Sequence, residues 1–195
     1  MNNPIDFYFD FISPYSYLAH KKIREIEINK KIKFIYKPIL LGGLHNLQHI
    51  TAPAFIKSKA KFMIKDCKMV AKKFNIKFIF NPFFPINSVN LMRGYLSVNA
   101  NVKNIYIDNI FDAYWKDGLN LNDEKIISSI LKNCKIKKSE FYKKIKDQKI
   151  KDRLKILTQD AFDKDIFGAP TFVVNKKIFW GQDRLEYALD EYNKF

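Results

Sequence analysis

Apolar and polar positions alternate as soon as the chain begins: Ile5, Phe7 and Phe9 stand against Asp6, Tyr8 and Asp10. That period of two predicts a strand packed mainly on one face. The period changes at Ser13-Pro14, after which Tyr17, Leu18, Lys21 and Ile23 follow a helical spacing. Serine before proline is a helix start, with the hydroxyl capping and the proline at the first helical position. A helix is expected over about Pro14 to Ile28. Lys31 to Pro38 alternates again and reads as a second strand ended by proline. Ile39 to Gly43 reads as a sharp exit, and Leu44 to Ser58 as a loop or broken helix.

The middle of the chain is helical. Lys59 to Phe74 places Phe62, Met63, Cys67, Val70, Ala71 and Phe74 on one side, and 78–87 is an aromatic, proline-broken loop. Further helices are expected around Ser88 to Asn99, Asn104 to Lys116, from about Asp123, Phe141 to Ile145, and Lys151 to Lys164. The strand signal returns only at Ala169 to Asn175, and a turn at Asn175-Lys176-Lys177 leads into Ile178-Phe179-Trp180. Gly181 to Arg184 then opens a terminal amphipathic helix carrying Leu185, Ala188, Leu189 and Tyr192. Strand, helix and strand at the start imply a parallel pair with a right-handed crossover. The order βαβ, many helices, ββα describes an α/β chain: a thioredoxin-like core (1–58 plus 165–195) interrupted by an all-helical insertion (59–164).

Composition narrows the function classes. At 195 residues, 47% hydrophobic and 15% aromatic, the chain can bury a sizeable core. Without a membrane-length apolar run or a signal peptide, a cytoplasmic protein is expected. Cys67 and Cys134 are far apart and lie in no metal or redox spacing, so they read as unpaired thiols in a reducing compartment. His45 and His49 are four apart, but no third ligand accompanies them, so no metal is expected. The net charge is +15, yet lysines are dispersed and arginine occurs only at Arg24, Arg93, Arg153 and Arg184. That pattern is no dedicated nucleic-acid face; it favours attraction of small anions.

Ser13 admits two readings. It is a capping serine, or it is an anion-stabilising hydroxyl at a helix N-terminus, where unpaired N–H groups favour negative charge. Ser13-Pro14-Tyr15-Ser16 has the outline of a Cys-x-x-Cys redox motif with oxygen in place of both sulfurs. In the redox version the helix start stabilises the protein's own thiolate. Here a thiolate would have to arrive on a ligand.

The chain resembles the DsbA-like thioredoxin superfamily, in the branch of 2-hydroxychromene-2-carboxylate isomerases and kappa-class glutathione transferases. The residues responsible are Phe9 to Ala19, Pro38 to Gly43, Phe84 to Ser88, Ala113-Tyr114-Trp115, Phe167 to Phe172 and Phe179 to Leu185. They are collinear with the family and span nearly the whole chain.

The resemblance implies glutathione as cofactor and a reaction in which its thiolate adds to, and is released from, an aromatic 2-oxo or 2-hydroxy acid. Ser13 matches the family's catalytic serine. Pro170 matches its cis-proline, which leaves the backbone of Ala169 to pair with the tripeptide. Gln182 and Asp183 match the loop that receives the γ-glutamyl end, and Lys59 a lysine that reaches the glycyl carboxylate. Candidate substrate contacts are Lys37, Phe84, Asn87 and Trp180, with Lys37 matched to the substrate's carboxylate. Relatives are often dimers, so a homodimer is a further expectation. One departure stands out: nine residues before Lys59 the family usually has Asn, and this chain has Ile50. The same site would serve a kappa-like transferase or peroxidase acting on another electrophile. A binding module that kept the fold without the chemistry is the remaining alternative.

Overall fold

The computed structural model describes residues 4–30 and 32–194. The expected second strand therefore begins, at Lys31, outside the described residues, as do positions 1–3 and 195 of the expected core. Strand β1 (Ile5–Phe9) leads into helix α1 (Pro14–Lys30) and strand β2 (Phe34–Pro38). Strands β3 (Thr171–Val174) and β4 (Lys177–Trp180) form a hairpin near the C-terminus. The four-stranded sheet has the order β2-β1-β3-β4, with β1 and β2 parallel and the other pairings antiparallel. Asn175 and Lys176 supply the hairpin turn, both at positive φ, as a type I′ connection requires.

The sheet is covered on both faces, unlike the one-faced strand that the alternation predicts. On one face Phe7 opposes both Tyr36 and Phe172 in register and stacks on the Phe172 ring at 5.4 Å. Tyr17, Leu18 and Ile23 of α1 join this face in the main core. On the other face Tyr8, read as polar, packs with Ile39, Leu44, Ala161 and Ile166.

Helix α2 (Leu41–Leu47) begins in the segment read as an exit and runs into the segment read as a loop or broken helix. Gly42 and Gly43 each disfavour a helix by about 1 kcal/mol, so local preference points the other way. Tertiary contacts supply what the local sequence lacks. The Leu41 N–H donates to Asp10 Oδ2 at 2.8 Å, the Leu40 N–H donates to Thr158 Oγ1 at 2.9 Å, and Leu44 is fully buried.

The remaining helices are α3 (Lys57–Lys73), α4 (Val89–Ser97), α5 (Lys103–Phe111), α6 (Glu124–Asn133), α7 (Lys138–Lys146), α8 (Gln148–Phe162) and α9 (Leu185–Tyr192). A π-helical turn over Asp112–Lys116 follows α5, where the sequence predicts one continuous helix. It points Trp115 into the core, and the indole N–H donates to the Phe11 carbonyl at 2.8 Å. The aromatic loop packs here too, with Phe78 stacked on Trp115 at 5.8 Å. No helix among the described residues is long and apolar enough to cross a membrane.

Candidate active site

The site is built at the carboxyl end of β1. Asp10 is fully buried just beyond the strand, and its carboxylate accepts the Ile12 N–H at 3.2 Å and the Leu41 N–H at 2.8 Å. Burial pushes its pKa up to about 6, against the opposing pull of hydrogen bonds from Leu41, Ser88 and Ile12. This brace fixes the turn that delivers Ser13. The Ser16 N–H donates to Ser13 Oγ at 3.1 Å, so Ser13 does cap α1. Its hydroxyl proton goes elsewhere: Ser13 Oγ donates to the Ala169 carbonyl at 3.0 Å. The capping and active-site readings of Ser13 are thus compatible in one side chain.

The peptide bond between Ala169 and Pro170 is cis. The Ala169 N–H has no hydrogen-bond partner among the described residues, and the same holds for the Tyr15 N–H in the first turn of α1. Donors at a helix start and beside a cis-proline, next to a buried hydroxyl, make a setting for an anion or an extended peptide.

Beside this point lies a cleft of about 780 Å³ between α1, α3, the cis-proline loop and the link from β4 to α9. Of the sequence-predicted residues, Ala169, Pro170, Trp180, Gln182 and Asp183 line it. Ser13 is 4% exposed and stands behind the lining, joined to it through Ala169. Trp180 is half exposed and packs against Phe167 at 4.9 Å. Its indole also lies over Gly168, where an added Cβ would come within 2.6 Å of Nε1. Gln182 is buried, and Asp183 is exposed and paired with Arg184 at 2.8 Å. Lys59 is exposed on α3, seven residues before Asp66 and fourteen before Lys73. That spacing puts it on the cleft-facing stripe, beyond the lining itself.

Three predicted substrate residues stand apart from the cleft lining. Lys37 lies on the outer strand β2 and pairs with Asp6 at 3.6 Å. Phe84 packs against Phe80 at 5.2 Å and Trp115 at 5.8 Å. Asn87 accepts the Val89 N–H at 3.0 Å just ahead of α4. Ile50, at the position where an Asn was expected, is exposed.

The sequence reading missed the cleft's α1 and α3 walls. Phe62 and Phe74, placed by their spacing on one side with Met63, Cys67, Val70 and Ala71, are exposed while those four are buried, and both line the cleft. Tyr15 and Asp66 face it as well. Burial, with Cys67 and Asp66 beside it, holds the Tyr15 phenol protonated far above neutrality. Burial likewise pushes the Cys67 thiol far up and the Cys134 thiol to about 11. Both cysteines are free and buried, so neither is poised as a nucleophile. The signal that could have exposed the α3 wall is the series Phe55, Phe62 and Met69, an apolar stripe seven residues apart, all exposed.

Comparison with known proteins agrees with this geometry. A DSBA-like thioredoxin domain model matches residues 4–193. A 2-hydroxychromene-2-carboxylate isomerase of Pseudomonas putida is 25% identical over 183 residues, covering 93% of this chain and 90% of the relative. Glutathione S-transferase kappa 1 of Caenorhabditis elegans is 26% identical, with 95% and 89% covered. Among solved structures, a 2-hydroxychromene-2-carboxylate isomerase superposes with a TM-score of 0.90 at 23% identity, covering 98% of this chain and 95% of the other. A cytosolic disulfide reductase of Pseudomonas aeruginosa, solved with GSH, gives a TM-score of 0.68 at 10% identity, with 99% and 96% covered. These two structural likenesses establish a common fold. Matched from end to end by the family model and aligned over most of their length with its relatives, the chain belongs to the DSBA-like thioredoxin domain family.

Proposed function

We propose that the cleft holds glutathione and that the protein is a glutathione-dependent isomerase of the 2-hydroxychromene-2-carboxylate type. The observation that carries this reading is the placement of the Ser13 hydroxyl. It sits at the start of α1, 3.0 Å from the carbonyl that precedes cis-Pro170. Bound glutathione would supply the sulfur nucleophile for reversible addition to a conjugated acceptor.

The residues present fit such a ligand. The Ala169 N–H, without a partner among the described residues, suits strand-like pairing with a peptide backbone. Gln182 and Asp183 would receive the γ-glutamyl end, and Lys59, on the cleft-facing stripe of α3, the glycyl carboxylate. Ser13 would turn its hydroxyl hydrogen from the Ala169 carbonyl towards the sulfur, with the α1 N-terminus adding its partial positive charge. Trp180 and Phe62 offer apolar surface to an aromatic acceptor. The reading places the protein in the cytoplasm, where free thiols such as Cys67 and Cys134 persist.

One observation favours a second reading. Lys37, the cation matched to the substrate's carboxylate, is held by Asp6 outside the cleft lining. A kappa-like transferase acting on an uncharged electrophile needs no such cation. Ultraviolet assays with the chromene acid, with and without glutathione, test the first reading; no glutathione-dependent spectral change would remove it. Conjugation of a generic electrophile under the same conditions would then support the second.

A further inference from the structure

Lys22 projects from α1 into the far end of the cleft, and neither its spacing nor the family resemblance assigns it a task. Its ammonium group lies 3.5 Å from the centroid of the Phe74 ring and donates to Gln182 Oε1 at 3.4 Å. Both partners are neutral. Among the described residues no carboxylate comes within ion-pairing distance of it, although Asp183 and Glu186 line the same end of the cleft. A half-buried cation facing an aromatic ring and an amide oxygen retains most of its desolvation cost until an anion joins it.

We infer that Lys22 binds the α-carboxylate of the γ-glutamyl residue of glutathione, with Asp183 and Glu186 serving the adjacent ammonium. This inference rests on the glutathione reading above and adds a specificity residue to it. The γ-glutamyl end carries both charges on one carbon, so its site needs an anion and a cation side by side. Asp183 meets only half of that need, and the cation beside it, Arg184, is already paired with it at 2.8 Å. Lys22 supplies the other half, from an element distant in sequence. Its pKa is lowered by burial and by Lys73, with Glu186 and Asp183 opposing, as expected for a cation short of a counter-ion. Phe74 and the Gln182 amide hold the ammonium in place without neutralising it.

The test is calorimetric titration of the full chain with glutathione and with its analogue lacking the γ-glutamyl α-carboxylate. The wild-type protein is expected to bind glutathione about tenfold more tightly than the analogue, the usual scale of one charge-assisted hydrogen bond. In Lys22→Met glutathione should weaken by about tenfold while the analogue is unchanged, so that the preference disappears; Lys22→Arg should retain it. Equal binding of the two peptides by the wild-type protein overturns the inference without recourse to any variant. So does a Lys22→Met protein that keeps the preference, or one that weakens both ligands alike. Wild-type protein that binds neither peptide at millimolar concentration instead overturns the glutathione reading, and this inference with it.

Discussion

The Ser13 hydroxyl donates a 3.0 Å hydrogen bond to the Ala169 carbonyl, joining residues 156 positions apart in the chain. One end of that bond is the N-terminus of α1 and the other is the backbone preceding cis-Pro170. The bond ties the first βα turn to the last β-hairpin across the cleft's inner wall. It also shows what a ligand must offer: an acceptor good enough to draw the hydroxyl hydrogen from a peptide carbonyl. A thiolate qualifies, because a charged acceptor makes a stronger hydrogen bond than a neutral one.

Ser13→Ala should separate stability from activity. It removes the cap on the Ser16 N–H, a loss of about 1 kcal/mol that urea unfolding will register. Glutathione-dependent turnover should fall by about a hundredfold, the scale of losing one donor to a developing anion. A drop in turnover no larger than the stability loss explains would assign Ser13 to capping alone.

Asp10 makes stability depend on pH. Its folded pKa of about 6 lies above its unfolded value, so between about pH 4 and 6 the folded chain holds the extra proton. The group's contribution is therefore favourable at low pH and is lost as pH rises through 6, by an amount on the order of 3 kcal/mol. Asp10→Asn should flatten that part of the profile. Urea unfolding of both proteins across this range checks it; parallel profiles would show that Asp10 is ionised throughout.

Gly168→Ala should disturb the cleft through its wall. The new Cβ would lie 2.6 Å from Trp180 Nε1, so the indole must move. Glutathione should bind several-fold more weakly and the emission of Trp180 should shift. Trp115, the other tryptophan, is fully buried and provides a constant background. Fluorescence titration of the variant, with Trp180→Phe to identify the signal, decides the matter. Unchanged affinity and emission would mean the indole has no role in the site.

A second buried network secures α1 from the side away from the cleft. His20 is fully buried between Tyr36, at 3.0 Å from Nδ1, and Asp108, at 2.7 Å from Nε2. Arg24 Nε also donates to Asp108, at 2.9 Å. Asp108→Ala leaves both donors without their acceptor and should cost about 2–3 kcal/mol, since Asp108 is partly exposed and water can partly replace it. Chemical denaturation measures this directly, and a loss under 1 kcal/mol would show the network to be dispensable.

The sequence revealed most where local chemistry and tertiary structure agree. Ser13-Pro14 marks the start of α1, Asn175-Lys176 the hairpin turn, and Gly-Ala-Pro-Thr the cis-proline loop, because each conformation is set by a few adjacent residues. The start of helix α2 at Leu41 is hidden in the sequence because it is held by Asp10 and Thr158, remote in the chain, while its own glycines favour an exit. The exposed sides of Phe62 and Phe74 were missed for a related reason. Periodicity groups apolar residues on one helical side without telling which of them meet the core, whereas only the packed structure shows a cleft beside the edge of that side. Lys37 failed to reach that cleft because the pleat of β2 turns it towards Asp6.

Whether a serine at the α1 start holds a borrowed thiolate is tested most directly by titrating bound glutathione. Ultraviolet absorbance of the thiolate is followed against pH in the wild-type protein and in Ser13→Ala. A free thiol titrates near about 8.5. The wild-type complex should titrate at least about one unit lower, and the variant should return most of the way to the free value. Coincident midpoints in the two proteins, or a wild-type midpoint at the free value, would contradict the account.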